Sequence, residues 1–106
     1  SSRMQKGNIY QIGDFTFSMS GLKLTRRNVS VSLTQREAEL LAFLYTHCGS
    51  ILKRDDILNK VWGNDHFFSS RSLDVFISRL RKLLQADPNI KIENIHNIGY
   101  RLVVHG

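Results

Sequence analysis

Two periods of hydrophobic and polar positions divide the chain. Near the N-terminus the period is two: Ile9-Tyr10-Gln11-Ile12, Phe15-Thr16-Phe17-Ser18, Leu22-Lys23-Leu24-Thr25 and Val29-Ser30-Val31-Ser32 read as short strands. Turn residues separate them at Gly13-Asp14, Ser20-Gly21 and Arg26-Arg27-Asn28. Alternation of this kind buries one sheet face and wets the other, so these runs predict a small four-stranded antiparallel meander, a structural platform. From Leu33 onward the spacing becomes helical. Thr34 is placed to cap a helix, and Glu37 three residues on completes a capping box. Ala38, Leu40, Leu41, Phe43, Leu44, Tyr45 and Cys48 cover a wide arc, which makes this the central core helix and Cys48 a small buried apolar group. Gly49 ends it.

A short extended link, Ile51-Leu52-Lys53, leads into a second helix over Arg54–Trp62 with Ile57, Leu58, Val61 and Trp62 as its inner stripe. Asp55 and Asp56 stand in its first turn, where carboxylates favour the positive end of the helix dipole; that explains the acid pair without hydrolytic chemistry. Lys53 and Arg54 lie where a helix start can approach a phosphate. Residues 63–68 read as a loop, with at least one of Phe67 and Phe68 in the core, and Ser69 or Ser70 caps a third helix over 70–84. Gln85-Ala86-Asp87-Pro88-Asn89 breaks the helical pattern. Ile90–Ile95 and Tyr100–Val104 then form a hairpin around the tip His96-Asn97-Ile98-Gly99, where Asn and Gly suit a positive φ.

The third helix carries the chemistry. Leu73, Phe76, Ile77, Leu80, Leu83 and Leu84 share one face and must pack against a core. The opposite face presents Arg71, Val75, Ser78 and Lys82, with Arg79 and Arg81 on its flanks. Asp74 is spaced to meet Arg71, whereas no acid on this helix is spaced to meet Arg79 or Arg81. The ordinary meaning of such a face is solvated charge. Two features favour the major groove of duplex DNA instead: the cations are mostly Arg, whose fork grips phosphates and guanine edges, and Val75 is placed to touch a thymine methyl. Two helices joined by a loop, the second of them basic, followed by a hairpin able to flank a duplex, define an α+β winged helix-turn-helix. It has an N-terminal four-stranded antiparallel sheet, three helices and a C-terminal β-hairpin wing.

Composition narrows the function further. The chain's 106 residues suffice for one domain with a modest core. Residues 1–7 are polar and patternless, a linker or expression remnant, and 8–106 form the domain, with the helical core at 33–84 and the wing hairpin at 90–104. A net charge of +6 points to a polyanionic partner. No apolar run approaches the roughly 20 residues that span a bilayer, and no signal-peptide pattern opens the chain, so no membrane role is expected. One cysteine excludes an intrachain disulfide and suits a reducing cytoplasm. His47, His66, His96 and His105 are scattered, and His47-Cys48 are adjacent rather than at ligand spacing, so no metal is expected. The seven glycines form no phosphate loop, and no cofactor is expected. With no clustered carboxylates or His pair for acid–base work, the chain is not expected to be an enzyme.

In order and ungapped spacing, the motifs resemble the OmpR/PhoB-type winged-helix output domain of bacterial two-component response regulators. They are Leu33-Thr34-x-x-Glu37-x-x-Leu40-Leu41; Leu52-Lys53-Arg54-Asp55-x-Ile57-Leu58; Val61-Trp62-Gly63; Arg71-Ser72-Leu73-Asp74-Val75-x-Ile77-x-Arg79-Leu80-Arg81-Lys82-Leu83; and Gly99-Tyr100-Arg101-Leu102. The resemblance covers nearly the whole chain after its first few residues. It implies that the third helix enters the major groove to control transcription, with the wing near the minor groove. Carried over by position, Arg79 is the main base reader, Val75 an apolar base contact and Ser78 a further base-facing residue. Arg54, Arg71, Ser72, Arg81 and Lys82 hold phosphates. The loop Asn64-Asp65-His66-Phe67-Phe68 matches the segment that touches RNA polymerase in activators of this family. Members bind direct repeats in double-stranded DNA as head-to-tail dimers and carry an N-terminal receiver domain phosphorylated on aspartate. That domain is absent here, so an isolated output fragment is expected. Departures are local. The wing tip has His96 and Asn97 where the family usually places Arg then Gly. Phe76 and Ser78 stand where polar or basic residues are common, so base preference should differ. Lys53 replaces the usual Ser/Thr cap of the second helix. A winged helix serving as a protein–protein interaction module, through Phe67, Phe68 and the sheet face, is the alternative.

Overall fold

The computed structural model describes residues 9–63 and 70–105, with side chains of the last segment from Ser72 onward. The period-two runs become four strands: β1 (Ile9–Ile12), β2 (Phe15–Ser18), β3 (Lys23–Arg26) and β4 (Val29–Ser32), paired antiparallel in that order. Phe15 and Phe17 on β2 and Leu24 on β3 are buried, while Thr16 between the phenylalanines is exposed. In register, Phe17 faces Tyr10 of β1 and Leu24 of β3 across the sheet. β3 begins one residue later than the alternation suggests. Leu22 adopts φ +54, which takes it out of the extended strand.

Helix α1 (Gln35–Thr46) starts as expected. Thr34 Oγ1 accepts the Glu37 N–H at 3.2 Å and the Glu37 carboxylate accepts the Thr34 N–H at 2.9 Å. Ala38, Leu40, Leu41 and Leu44 are buried. Cys48 is not. The helix stops at Thr46, the Cys48 N–H folds back onto the Tyr45 carbonyl at 3.0 Å, and the thiol faces solvent. The expectation of a buried Cys48 fails because the helix ends before the apolar arc reaches it, and Gly49 at φ +88 completes the turn away.

The two-residue strand β5 (Leu52–Lys53) leads into α2 (Arg54–Val61), and α3 (Ser70–Leu84) follows. The chain ends in the hairpin β6 (Ile90–Ile95) and β7 (Gly99–Val104). Strands β5, β7 and β6 form a second antiparallel sheet in that spatial order, so the wing is stitched to the start of α2. Ile57, Leu58 and Val61 of α2, Trp62 at its C-cap, and Leu73, Ile77, Leu80 and Leu84 of α3 join Ile90, Ile92, Tyr100 and Leu102 of the wing in one core. The wing tip places Asn97 at φ +63, but Gly99 is required for another reason. A Cβ on it would lie 1.9 Å from the Leu52 carbonyl oxygen. The sheet, helices and wing are further tied by Asp87, which is buried and accepts the Asp14 N–H at 2.8 Å and the Asn89 N–H at 2.9 Å. Those two N–H groups hold its carboxyl below the usual aspartate range. No helix among the described residues is long and apolar enough to cross a membrane.

Candidate nucleic-acid interface

Helix α3 divides cleanly into two faces. Leu73, Ile77, Leu80 and Leu84 are buried, with Phe76 and Leu83 packed partly against them. Asp74, Val75, Ser78, Arg79, Arg81 and Lys82 are exposed. Val75 is 52% exposed, a valine held in water by the same helix that buries Leu73 and Ile77. Arg81 and Lys82 lie in the last turn, where cations complement the helix dipole. The Arg81 Nε–H also donates to the Ile92 carbonyl at 3.0 Å, fastening α3 to the wing strand β6. Ser72 is half-buried. The Arg71 side chain and the loop Asn64, Asp65, His66, Phe67 and Phe68 lie outside the described residues, as do the capping expectations for Ser69 and Ser70.

The exposed face of α3 does not stand alone. At its N-terminal end, α2, α3 and the wing meet at one carboxylate. Asp74 Oδ1 accepts the Tyr100 O–H at 2.6 Å and an Arg54 guanidinium N–H at 2.9 Å. Arg54 Nη1 also lies 3.4 Å from the Tyr100 hydroxyl, and its guanidinium sits over that ring. The charges respond accordingly. The Tyr100 hydroxyl, then Arg54, hold the Asp74 carboxyl below the usual aspartate range. Burial, reinforced by Asp74, raises the Tyr100 hydroxyl. For Arg54, burial would lower the pKa, but the hydrogen bonds to Tyr100 and Asp74 outweigh it and the net shift is upward. Arg54 is thereby fixed at the rim of a groove of about 540 Å³ between the start of α2 and the wing, lined also by Lys53, Asn94, Asn97 and Gly99. Lys53 is the α2 N-cap and makes no side-chain capping bond. His96, Asn97 and Ile98 are exposed at the wing tip.

Two charge pairs reach across the fold. Asp74 engages Arg54, and Arg79, with no acid at pairing distance along its own helix, pairs with Glu37 of α1 at 3.2 Å. The expected Asp74–Arg71 pair involves a side chain outside the described residues. Glu37 and Tyr100 were therefore hidden members of this surface. Spacing within one helix shows only local partners. The one available sign was that a tyrosine in a wing strand that pairs with the core needs a partner for its hydroxyl. No group of three or more His, Cys, Asp or Glu that could hold a metal ion occurs among the described residues.

Comparison with known proteins places the chain in a family. The family model described as "Transcriptional regulatory protein, C terminal" matches residues 28–102. The chain is 42% identical over 99 residues to the transcriptional regulatory protein RprY of Bacteroides fragilis, covering 93% of this chain and 42% of that protein. It thus spans less than half the length of the curated relatives it matches. Among solved structures it is similar to the DNA-binding domain of Klebsiella pneumoniae RstA in complex with the RstA box. That match has 31% identity and a TM-score of 0.75, covering 92% of this chain and 98% of that one. The DNA-binding domain of Bacillus subtilis CssR is similar at 34% identity and a TM-score of 0.70, covering 83% and 98% respectively. An outward basic helix, a wing stitched to the helical core and a family match over most of the chain converge, and the chain belongs to the C-terminal domains of transcriptional regulatory proteins, the OmpR/PhoB-type winged-helix DNA-binding domains of response regulators.

Proposed function

We propose that this domain binds specific double-stranded DNA as the effector part of a cytoplasmic two-component response regulator, with α3 in the major groove and the wing near the minor groove. The observation that carries this is the division of α3. Its inner face is locked into the core, so Val75, Ser78, Arg79 and Lys82 are presented outward on a rigid support. Arg79 reads a base edge, with Val75 and Ser78 beside it. Arg54, Arg71, Ser72, Arg81 and Lys82 hold phosphates around it, and His96 and Asn97 meet the duplex at the wing. The solved complex of the similar RstA domain with its box supports a duplex as the partner. Head-to-tail pairing on direct repeats, contact of Asn64-Asp65-His66-Phe67 with RNA polymerase and control by an N-terminal receiver complete the proposal.

The test starts by selecting a cognate duplex from a randomised library. Arg79→Ala then loses discrimination between that duplex and a scrambled one. Lys82→Ala weakens both alike and lowers the slope of log K against log salt by about 0.9. If the two variants behave identically on both duplexes, these roles are wrong. If the chain retains no duplex even at low salt and instead captures a protein, it is an interaction module.

A further inference from the structure

Glu37 is the one buried acid that touches the outward face of α3 among the described residues. Its side chain is 8% exposed, whereas that of its partner Arg79 is 57% exposed. Both carboxylate oxygens are used: Oε1 accepts the Thr34 N–H at 2.9 Å and Oε2 accepts the Arg79 Nη1–H at 3.2 Å. The capping box therefore fixes the carboxylate, and the carboxylate fixes one edge of the guanidinium. The Phe76 ring supports the same group from another side, its centroid 5.7 Å from Arg79 Cζ. A long, rotamer-rich side chain is thus held part-way to a single orientation before any partner arrives, which reduces the ordering cost of binding.

Charge has a second consequence. A guanidinium beside a carboxylate attracts phosphates of any sequence less than a lone one does, yet its remaining N–H donors still form a directional fork. We propose that Glu37 is a specificity-determining positioning residue. It aims Arg79 at a base edge and cancels part of that arginine's sequence-independent attraction to DNA. The proposal rests on Arg79 being the base reader.

Fluorescence anisotropy with the selected duplex and a scrambled duplex of equal length, across a salt series, tests it. The proteins are the unaltered chain, Glu37→Gln, Arg79→Ala, the double variant and Thr34→Ala. Glu37→Gln keeps an oxygen to accept the Thr34 N–H while removing the charge. The expected result is a three- to tenfold fall in the cognate-to-scrambled affinity ratio, of the order of one weakened bidentate contact. Binding to the scrambled duplex tightens, and the salt slope steepens by up to about 0.9. In the Arg79→Ala background the same change leaves the ratio untouched. Thr34→Ala weakens the cap without touching Arg79, so it lowers the melting temperature and spares the ratio. An unchanged ratio and slope in Glu37→Gln, alongside a lost ratio in Arg79→Ala, overturns the role of Glu37 alone. An unchanged ratio in Arg79→Ala removes the base-reader assignment beneath it. A Thr34→Ala ratio as low as that of Glu37→Gln makes the effect one of folding and also overturns the proposal.

Discussion

Replacing Tyr100 by Phe removes one oxygen from the point where α2, α3 and the wing converge. The ring is 5% exposed and stays in place, so no cavity opens. What disappears is the 2.6 Å hydrogen bond to Asp74, together with the long 3.4 Å contact from Arg54 Nη1, which contributes little beside it. A hydrogen bond to a charged group contributes about 1.5–3 kcal/mol net. The Asp74 side chain is 57% exposed, so water replaces much of the lost donor and the expected cost falls to about 0.5–1 kcal/mol. For a domain of this size that lowers Tm by roughly 2–8 °C. The pH dependence identifies the cause. The folded-state pKa of Asp74 is depressed, with Tyr100 the largest contributor. Such a group adds stability above its unfolded value, near 3.8, and loses it as pH falls through the depressed folded value. The Tm gap between Tyr100→Phe and the unaltered chain should therefore be full at neutral pH and shrink in acid. The Tyr100 hydroxyl is raised above its ordinary value of 10.0, so the gap should also close as pH climbs beyond 10.0. Asp87 titrates in acid as well, but equally in both proteins, and cancels in the difference. Scanning calorimetry across pH reads this directly. Equal Tm values at neutral pH, or a gap that stays constant into acid, would refute a stabilising role for the Asp74–Tyr100 bond.

Two substitutions probe the support of the interface by urea denaturation. Gly99→Ala puts a methyl group 1.9 Å from the Leu52 carbonyl oxygen, so β5 and β7 must part. The expected loss is about 3 kcal/mol, the upper end for overpacking, and a loss below about 0.5 kcal/mol would contradict the close approach. Lys53→Ser supplies the missing cap of α2, whose N-cap backbone is already extended at φ −67 and ψ 145. A gain of about 0.5–1 kcal/mol is expected, and a loss would mean the lysine stem packs usefully.

Much of the fold was legible from local pattern. Alternation in Phe15-Thr16-Phe17 located a strand, the Thr34–Glu37 spacing located a helix start, and the apolar face of α3 located the core side of the basic helix. What escaped depended on long-range approach or on where an element ends. Gly99 looks like a turn glycine, but its role comes from a carbonyl about 47 positions earlier in the chain, brought close by the β5–β7 pairing. Cys48 fits a helical arc only if the helix continues past Thr46. The pairing of Arg79 with Glu37 bridges 42 positions and two helices, beyond any spacing rule within one helix. On the outer face of α3, the outward side chains could be read from periodicity. The groups that hold them in place could not, because those groups come from α1, α2 and the wing.

The most direct test is an amide and methyl NMR titration of the isotope-labelled chain with the selected duplex. The largest shift changes should fall on Val75, Ser78, Arg79 and Lys82 and at the wing tip, His96 to Ile98, with Ile9 on β1, the sheet edge opposite β4, unmoved. Changes concentrated on the sheet, with the outer face of α3 silent, would contradict docking through that helix.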